Sequence, residues 1–201
     1  LYREINILPK LNHRSLLQFI YYSPVDFSKD TRPTILMEFS EKTSLYSIFQ
    51  EDDTKKLIAI YGIASGISYL HSHDVIHRDL KPENIFVDDR LFPKISFFHL
   101  IKEIDPLKQE KSDFLKGTPA YLAPEIFTKR EYSKKSDVFS FSLVVYQIIT
   151  NKIKLYKGYK NSPSYLRQYV INGGRPTLFE KVPECYEKLI KKCWSNDPEE
   201  R

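Results

Sequence analysis

The sequence predicts an α+β domain, and three observations carry that prediction. Strand-like apolar runs come first, LLQFIYY (16–22) and TILMEF (34–39). Helical patterns come last, at about 136–150, 163–172 and 183–194. Between them residues 97–125 show no sustained period and read as one long loop. Such a loop inside a compact domain is usually functional.

Taken in order, residues 1–11 read as an amphipathic helix, because Leu1, Ile5, Leu8 and Leu11 recur at helical spacing. The two strands follow. SLYSIFQ (44–50) is a short helix with Ser44 as its cap. A longer helix spans about 54–72, capped by Thr54 or Asp53, with Leu57, Ile60, Ala64 and Ile67 on one face. IFV (85–87) and FPKI (92–95) form a hairpin around Asp88 and Asp89. VFSFSLVVYQII (138–149) is the most apolar run. It falls short of the roughly 20 residues that cross a bilayer, so it reads as a buried helix.

With 201 residues the chain suits one large domain or part of a two-lobed one. Hydrophobic residues make up 41%, with 13 Phe and 14 Tyr, enough to build a sizeable core. The net charge is +5, but acids and bases are interleaved and no basic stripe forms. Nucleic acid is therefore not an expected partner, and neither is insertion into a membrane. Cys185 and Cys193 match neither a redox pair nor a zinc knuckle and read as reduced thiols of a cytoplasmic protein. The chain opens without Met inside a helical pattern and stops at Arg201, which reads as a fragment of a longer polypeptide.

HRDLKPEN (77–84) carries the chemistry. It sets an Asp, a Lys and an Asn on one short loop after a helix. Asp79 can accept a proton from an alcohol, Lys81 can neutralise a transferring phosphoryl group, and Asn84 can bind a metal. Read alone, the same octet is a charged surface turn. His71, His73 and His77 raise a metal site as a second, weaker idea.

HRDLKPEN resembles the catalytic loop of protein kinases, and the resemblance covers all 201 residues. GTPAYLAPE (117–125), which includes Thr118, is similar to the family's substrate-binding loop in its serine/threonine form, as is the Lys81 spelling. The resemblance implies an α+β protein kinase-like fold, a mostly helical large lobe over 39–201 and a truncated small lobe over 1–38. It implies Glu4 as the ion-pairing glutamate. Met37 would be the gatekeeper, with Glu38 and Phe39 offering backbone groups to adenine and Phe86 packing beneath the ring. His77 would sit in the core below the loop, and Asp137 would hold the loop's backbone. Arg78 would grip a phosphorylated residue, and Glu125 would pair with Arg201. CWSNDPEER (193–201) and SDVFSF (136–141) are similar to the tyrosine-kinase-like group of serine/threonine kinases. ATP and Mg²⁺ are the implied cofactors, and a protein substrate or regulated protein is the implied partner.

Three departures matter. Eighteen residues past Asp79, where the family carries its metal-binding Asp-Phe-Gly, this chain reads Phe97, Phe98 and His99. Phe cannot ligate Mg²⁺, which demands hard oxygen ligands. No Gly-rich phosphate loop and no ATP-binding lysine precede Glu4. The residue where an activating phosphate is expected is Phe114, with Ser112 and Asp113 as nearby substitutes. Ser142 also stands where a Gly is common. Three functions follow as competing expectations. The first is a pseudokinase that serves as an interaction or regulatory module. The second is an active serine/threonine kinase with atypical metal use. The third is an unrelated basic binding module.

Overall fold

The computed structural model describes residues 2–26, 28, 32–39, 44–96, 100–104, 115–156, 162–178 and 182–201, the side chains of 2–4 excepted. The expectations placed on Leu1, the Glu4 side chain, Phe97, Phe98, His99, Ser112, Asp113 and Phe114 lie outside the described residues.

Helix α1 (Tyr2–Ile7) is shorter than the helix expected over 1–11. Pro9 brings no amide hydrogen to an α-helical ladder, and Leu8–Lys10 tighten into a 3-10 turn. Strands β1 (Phe19–Ser23) and β2 (Thr34–Met37) pair antiparallel, with Phe19 opposite Met37 and Tyr22 opposite Ile35. Leu16, expected in the first strand, makes instead an isolated parallel bridge to Ile95. Leu45–Gln50 coil as a 3-10 helix that buries Leu45, Ile48 and Phe49. The expected cap, Ser44, gives it no side-chain hydrogen bond. Its carbonyl accepts from Ser47 instead.

Helix α2 (Asp53–Ser72) is capped by Asp52, whose Oδ1 accepts the Lys55 amide at 3.0 Å, and not by Asp53 or Thr54. Asp53 becomes a first-turn residue, where a carboxylate suits the helix dipole. Ile60, Ile63, Ile67 and Leu70 face the core, whereas Leu57 is 53% exposed and leaves the expected face. Gly62 lets the β-hairpin approach, since a Cβ there would sit 2.5 Å from the Pro93 ring.

Strand β3 (Val75–Ile76) precedes the HRDLKPEN loop. β4 (Ile85–Val87) and β5 (Pro93–Ile95) form the expected hairpin, its turn tied by Asp88 Oδ1 accepting the amides of Arg90 and Phe92. Among its described residues, the stretch expected as one loop holds elements that its irregular pattern hid. These are β6 (Lys102–Glu103), which pairs antiparallel with β3, a 3-10 turn at Pro119–Tyr121, and helix α3 (Pro124–Lys129).

Helix α4 (Lys134–Thr150) runs through the core, with Phe139, Leu143, Val144, Val145 and Ile148 fully buried. Its start is fastened by the Ser133 amide donating to Ser136 Oγ at 2.8 Å. α5 (Pro163–Ile171) and α6 (Glu184–Cys193) complete the helical part. Arg175 ties their ends together. It donates to the carbonyls of Val170 and Trp194, and its guanidinium lies 4.9 Å from the centre of the Phe139 ring. Both cysteines are free thiols, Cys185 exposed and Cys193 buried.

Candidate functional site

The HRDLKPEN loop is held from below by one carboxylate. Asp137, in the first turn of α4, accepts the His77 amide at 2.9 Å and the Arg78 amide at 3.0 Å. His71, at the end of α2, adds its Nε2 to Asp137 Oδ2 at 3.0 Å. Burial pushes the Asp137 carboxyl up, but the bond and charge of His71 and the loop amides outweigh it and hold it below the usual carboxylate range. Arg78 takes a positive φ of 67°, uncommon for a side chain of its size. Such a conformation persists only where its surroundings over-determine it.

His77 is fully buried and bridges two strands of chain. Its Nε2 donates to the Ser96 carbonyl at 2.9 Å, while Nδ1 accepts the Asp79 amide at 3.3 Å. The pair of bonds selects the neutral tautomer with hydrogen on Nε2. Ser96 in turn bonds the Asn84 carbonyl through its amide (2.9 Å) and its hydroxyl (3.1 Å). The chain therefore enters residues 97–99 from a point fastened to Asn84.

Asp79, Lys81, Asn84 and Thr118 meet in one cluster. Asp79 Oδ1 accepts both the Thr118 amide (2.8 Å) and its hydroxyl (2.7 Å). Oδ2 accepts Asn84 Nδ2 at 2.9 Å and lies 3.4 Å from Lys81 Nζ. Lys81 Nζ also donates to Thr118 Oγ1 at 2.7 Å. Burial raises the Asp79 carboxyl, but the Thr118 bonds, the Lys81 charge and Asn84 together hold it below its ordinary value. A carboxylate kept ionised in a half-enclosed site can accept a proton or orient a hydroxyl.

The residues expected around adenine fall on β2, just after it, and on the β4–β5 hairpin. Met37 ends β2. The Glu38 amide already donates to the Gln18 carbonyl at 2.8 Å, so its carbonyl is the group it can offer a ligand. Phe39 is 85% exposed. Phe86 stands opposite Lys94 in the β4–β5 hairpin, and Lys94 Nζ pairs with the Glu38 carboxylate. Arg78 directs Nε to the Leu100 carbonyl at 2.6 Å, with its guanidinium over the Tyr132 ring. Farther off, Arg201 and Glu125 form a two-pronged ion pair. The three histidines do not converge: His71 goes to Asp137, His77 to Ser96, and His73 to the Tyr69 carbonyl and Ser72.

Four contacts escaped the sequence reading. His71 was legible only as the end of a helix. Nothing in GTPAYLAPE announces that Thr118 spends two donors on Asp79. The Lys94–Glu38 pair spans 56 residues, and Tyr132 precedes α4 without any motif.

A proton acceptor, a cation and an amide on one anchored loop is the arrangement of phosphoryl-transfer proteins. The chain belongs to the protein kinase domain family, whose model matches residues 1–201. Three relatives illustrate the likeness. Dual specificity protein kinase shkB of Dictyostelium discoideum is 29% identical over 209 residues, covering 99% of this chain and 31% of the relative. The RGS domain-containing serine/threonine-protein kinase A of the same organism is 35% identical over 171 residues, 83% of this chain and 15% of the relative. A protein of Acanthamoeba polyphaga mimivirus named as a serine/threonine-protein kinase/receptor is 33% identical over 199 residues, 95% of this chain and 12% of the relative. The chain thus spans under a third of the length of these curated relatives. The α+β, kinase-like fold read from the sequence agrees with this membership.

The family normally uses ATP with Mg²⁺, so the donors can be tested for fit. Mg²⁺ takes oxygen ligands at about 2.0–2.1 Å in near-octahedral geometry. Among the described residues, no group of three or more His, Cys, Asp or Glu could hold a metal ion. Asn84 supplies one amide oxygen, both Asp79 oxygens are engaged, and the Phe97 side chain has no oxygen. Among the described residues that donor set does not make a Mg²⁺ site. Among the described residues no helix is long and apolar enough to cross a membrane.

Proposed function

We propose that this is a pseudokinase domain of the tyrosine-kinase-like serine/threonine group, a cytoplasmic module that binds and regulates a partner protein and has lost efficient phosphotransfer. What supports the reading is Phe97, eighteen residues past Asp79, where the resemblance would place the family's metal-binding aspartate. It follows directly on Ser96, which is bonded to the Asn84 carbonyl. Losing one electrostatic donor of this kind typically costs ~10²–10³ in rate.

The second reading, an active serine/threonine kinase with atypical metal use, draws on the cluster of Asp79, Lys81, Asn84 and Thr118. Its hydrogen bonds keep a carboxylate ionised beside a cation, and a module freed from chemistry has no physical need of that.

Isothermal titration with ATP, with and without Mg²⁺, separates the two. The pseudokinase reading expects no Mg²⁺-dependent gain in ATP affinity in the full polypeptide. It also expects Phe97→Asp with His99→Gly to create one, provided upstream residues supply a phosphate loop and a lysine. Strong Mg²⁺-dependent binding by the unmodified protein, with transfer to a protein substrate under Mg²⁺ or Mn²⁺, would replace it by the active-kinase reading.

A further inference from the structure

Three consecutive residues, Lys116, Gly117 and Thr118, lie along the HRDLKPEN loop, and each touches a different support. Thr118 gives two hydrogen bonds to Asp79 and receives one from Lys81. Gly117 lies so close to the loop that a Cβ would stand 2.6 Å from the Arg78 carbonyl oxygen. Lys116 is held by a side chain from elsewhere. Its amide donates to the Tyr132 hydroxyl at 2.7 Å, and that hydroxyl donates to the Lys116 carbonyl at 2.9 Å.

A tyrosine hydroxyl has one hydrogen to give and lone pairs to accept with. Tyr132 uses both functions on the backbone of a single residue, much as a neighbouring strand would. The ring is 3% exposed, and the Arg78 guanidinium lies 5.4 Å from its centre. One phenol therefore touches both partners of the junction, the 116–118 segment through its hydroxyl and the 77–84 loop through its ring. Its place in the chain sharpens the point. Five residues later, Asp137 takes the amides of His77 and Arg78. The short stretch 132–137 thus grips one segment at its start and the other at its end.

We infer that Tyr132 is a positioning residue: it fixes the register of residues 116–118 against the HRDLKPEN loop and so keeps Thr118 on the Asp79 carboxylate. Without its hydroxyl, Lys116 keeps no backbone pairing from this side chain. A shift of the segment by a fraction of a residue then breaks the bonds of Thr118 before anything else in the fold gives way. This step rests on Asp79 being the carboxylate of the site, and it holds whether or not the domain turns over ATP.

Backbone amide hydrogen exchange of the full chain tests it, because the Thr118 amide is one of the two donors in question. In Tyr132→Phe the ring and its stacking stay and only the hydroxyl goes. Protection at Thr118 should fall about tenfold or more, the scale of losing a hydrogen bond or two. Protection at His77 and Arg78, held by Asp137, should not change. Tyr146→Phe, which deletes a phenol bonded to the Thr177 carbonyl, should leave Thr118 untouched. A uniform drop across all these amides would reduce Tyr132 to a packing residue, and unchanged exchange at Thr118 would also overturn the inference. The unmodified chain offers a second measurement that needs no variant. Lys116 and Thr118 should exchange through one opening, with matching protection factors, and a Thr118 protection factor far above that of Lys116 would contradict the clamp.

Discussion

Arg201 reaches both oxygens of Glu125, Nη1 to Oε1 at 2.7 Å and Nη2 to Oε2 at 2.9 Å, with the arginine side chain wholly buried. Its Nε bonds the Ser195 carbonyl, and its guanidinium lies 5.0 Å from the centre of the Phe139 ring, the ring that Arg175 also approaches. Removing one partner of such a pair leaves the other charge buried alone, a cost of about 3–5 kcal/mol. Arg201→Ala should therefore lower the melting temperature by roughly 6–20 °C. Lys188→Ala, which breaks an exposed pair with Glu184, should change it by little. Equal melting temperatures for the two variants in calorimetry would contradict the burial of this pair.

Asp137 predicts a pH dependence. Its carboxyl is held below the ordinary range, by His71 and the loop amides against the opposing push of burial. A group whose folded pKa is depressed adds stability that is full above its unfolded value and is lost as pH falls through the folded one. The window thus opens below the ordinary aspartate value of about 3.9. Asp137→Asn keeps one acceptor oxygen but turns an NH₂ toward donors it should accept. Urea unfolding should show a clear gap between wild type and variant at about pH 5. That gap should shrink below about pH 4. A gap that widens in acid would show that the charge is not what holds the loop.

Gly117 and Gly173 make a matched pair of tests. Both have positive φ, 96° and 85°. A Cβ at Gly117 would meet the Arg78 carbonyl at 2.6 Å, whereas at Gly173 the nearest group is the Asn196 side chain at 3.6 Å. Alanine at either site bears the strain of the left-handed region, on the order of 1–3 kcal/mol. Only Gly117→Ala adds a backbone collision. It should be the more destabilising of the two by about 1 kcal/mol or more in chemical denaturation, and equal losses would rule out the close approach.

How much of this could be read from residues alone depends on the range of the interactions. Helix α4 was legible because a long apolar run leaves few alternatives. The HRDLKPEN loop was legible because its chemistry is packed into one octet. The cap of α2 was missed by one residue, since Asp52, Asp53 and Thr54 are all good caps and only the fold selects one. Leu57 was assigned to the wrong face because this 20-residue helix carries apolar residues on its exposed side too, Ile58 and Tyr61 among them, and only burial decides between them. The β3–β6 ladder joins two-residue strands far apart in the chain, too short for any local period. The bonds of Tyr132 and Lys94 involve single residues meeting across the fold, and no pattern in the chain marks them.

The anchoring of the HRDLKPEN loop has a consequence for how the chain acquires its shape during synthesis. The loop is chemically complete once Asn84 is made, but the carboxylate that holds it lies 60 residues beyond His77. Glu125 waits longer, since its cation comes 76 residues after it. At roughly 5–20 residues per second, a ribosome needs about 3–12 s to deliver Asp137 after His77. It needs about 4–15 s to deliver Arg201 after Glu125. Through that interval the nascent chain carries its loop unfastened and an acidic side chain with no cation beside it. The site closes from the C-terminal side inward, and a pause or a chaperone acting within those seconds would meet the catalytic-type loop before it has a fixed geometry.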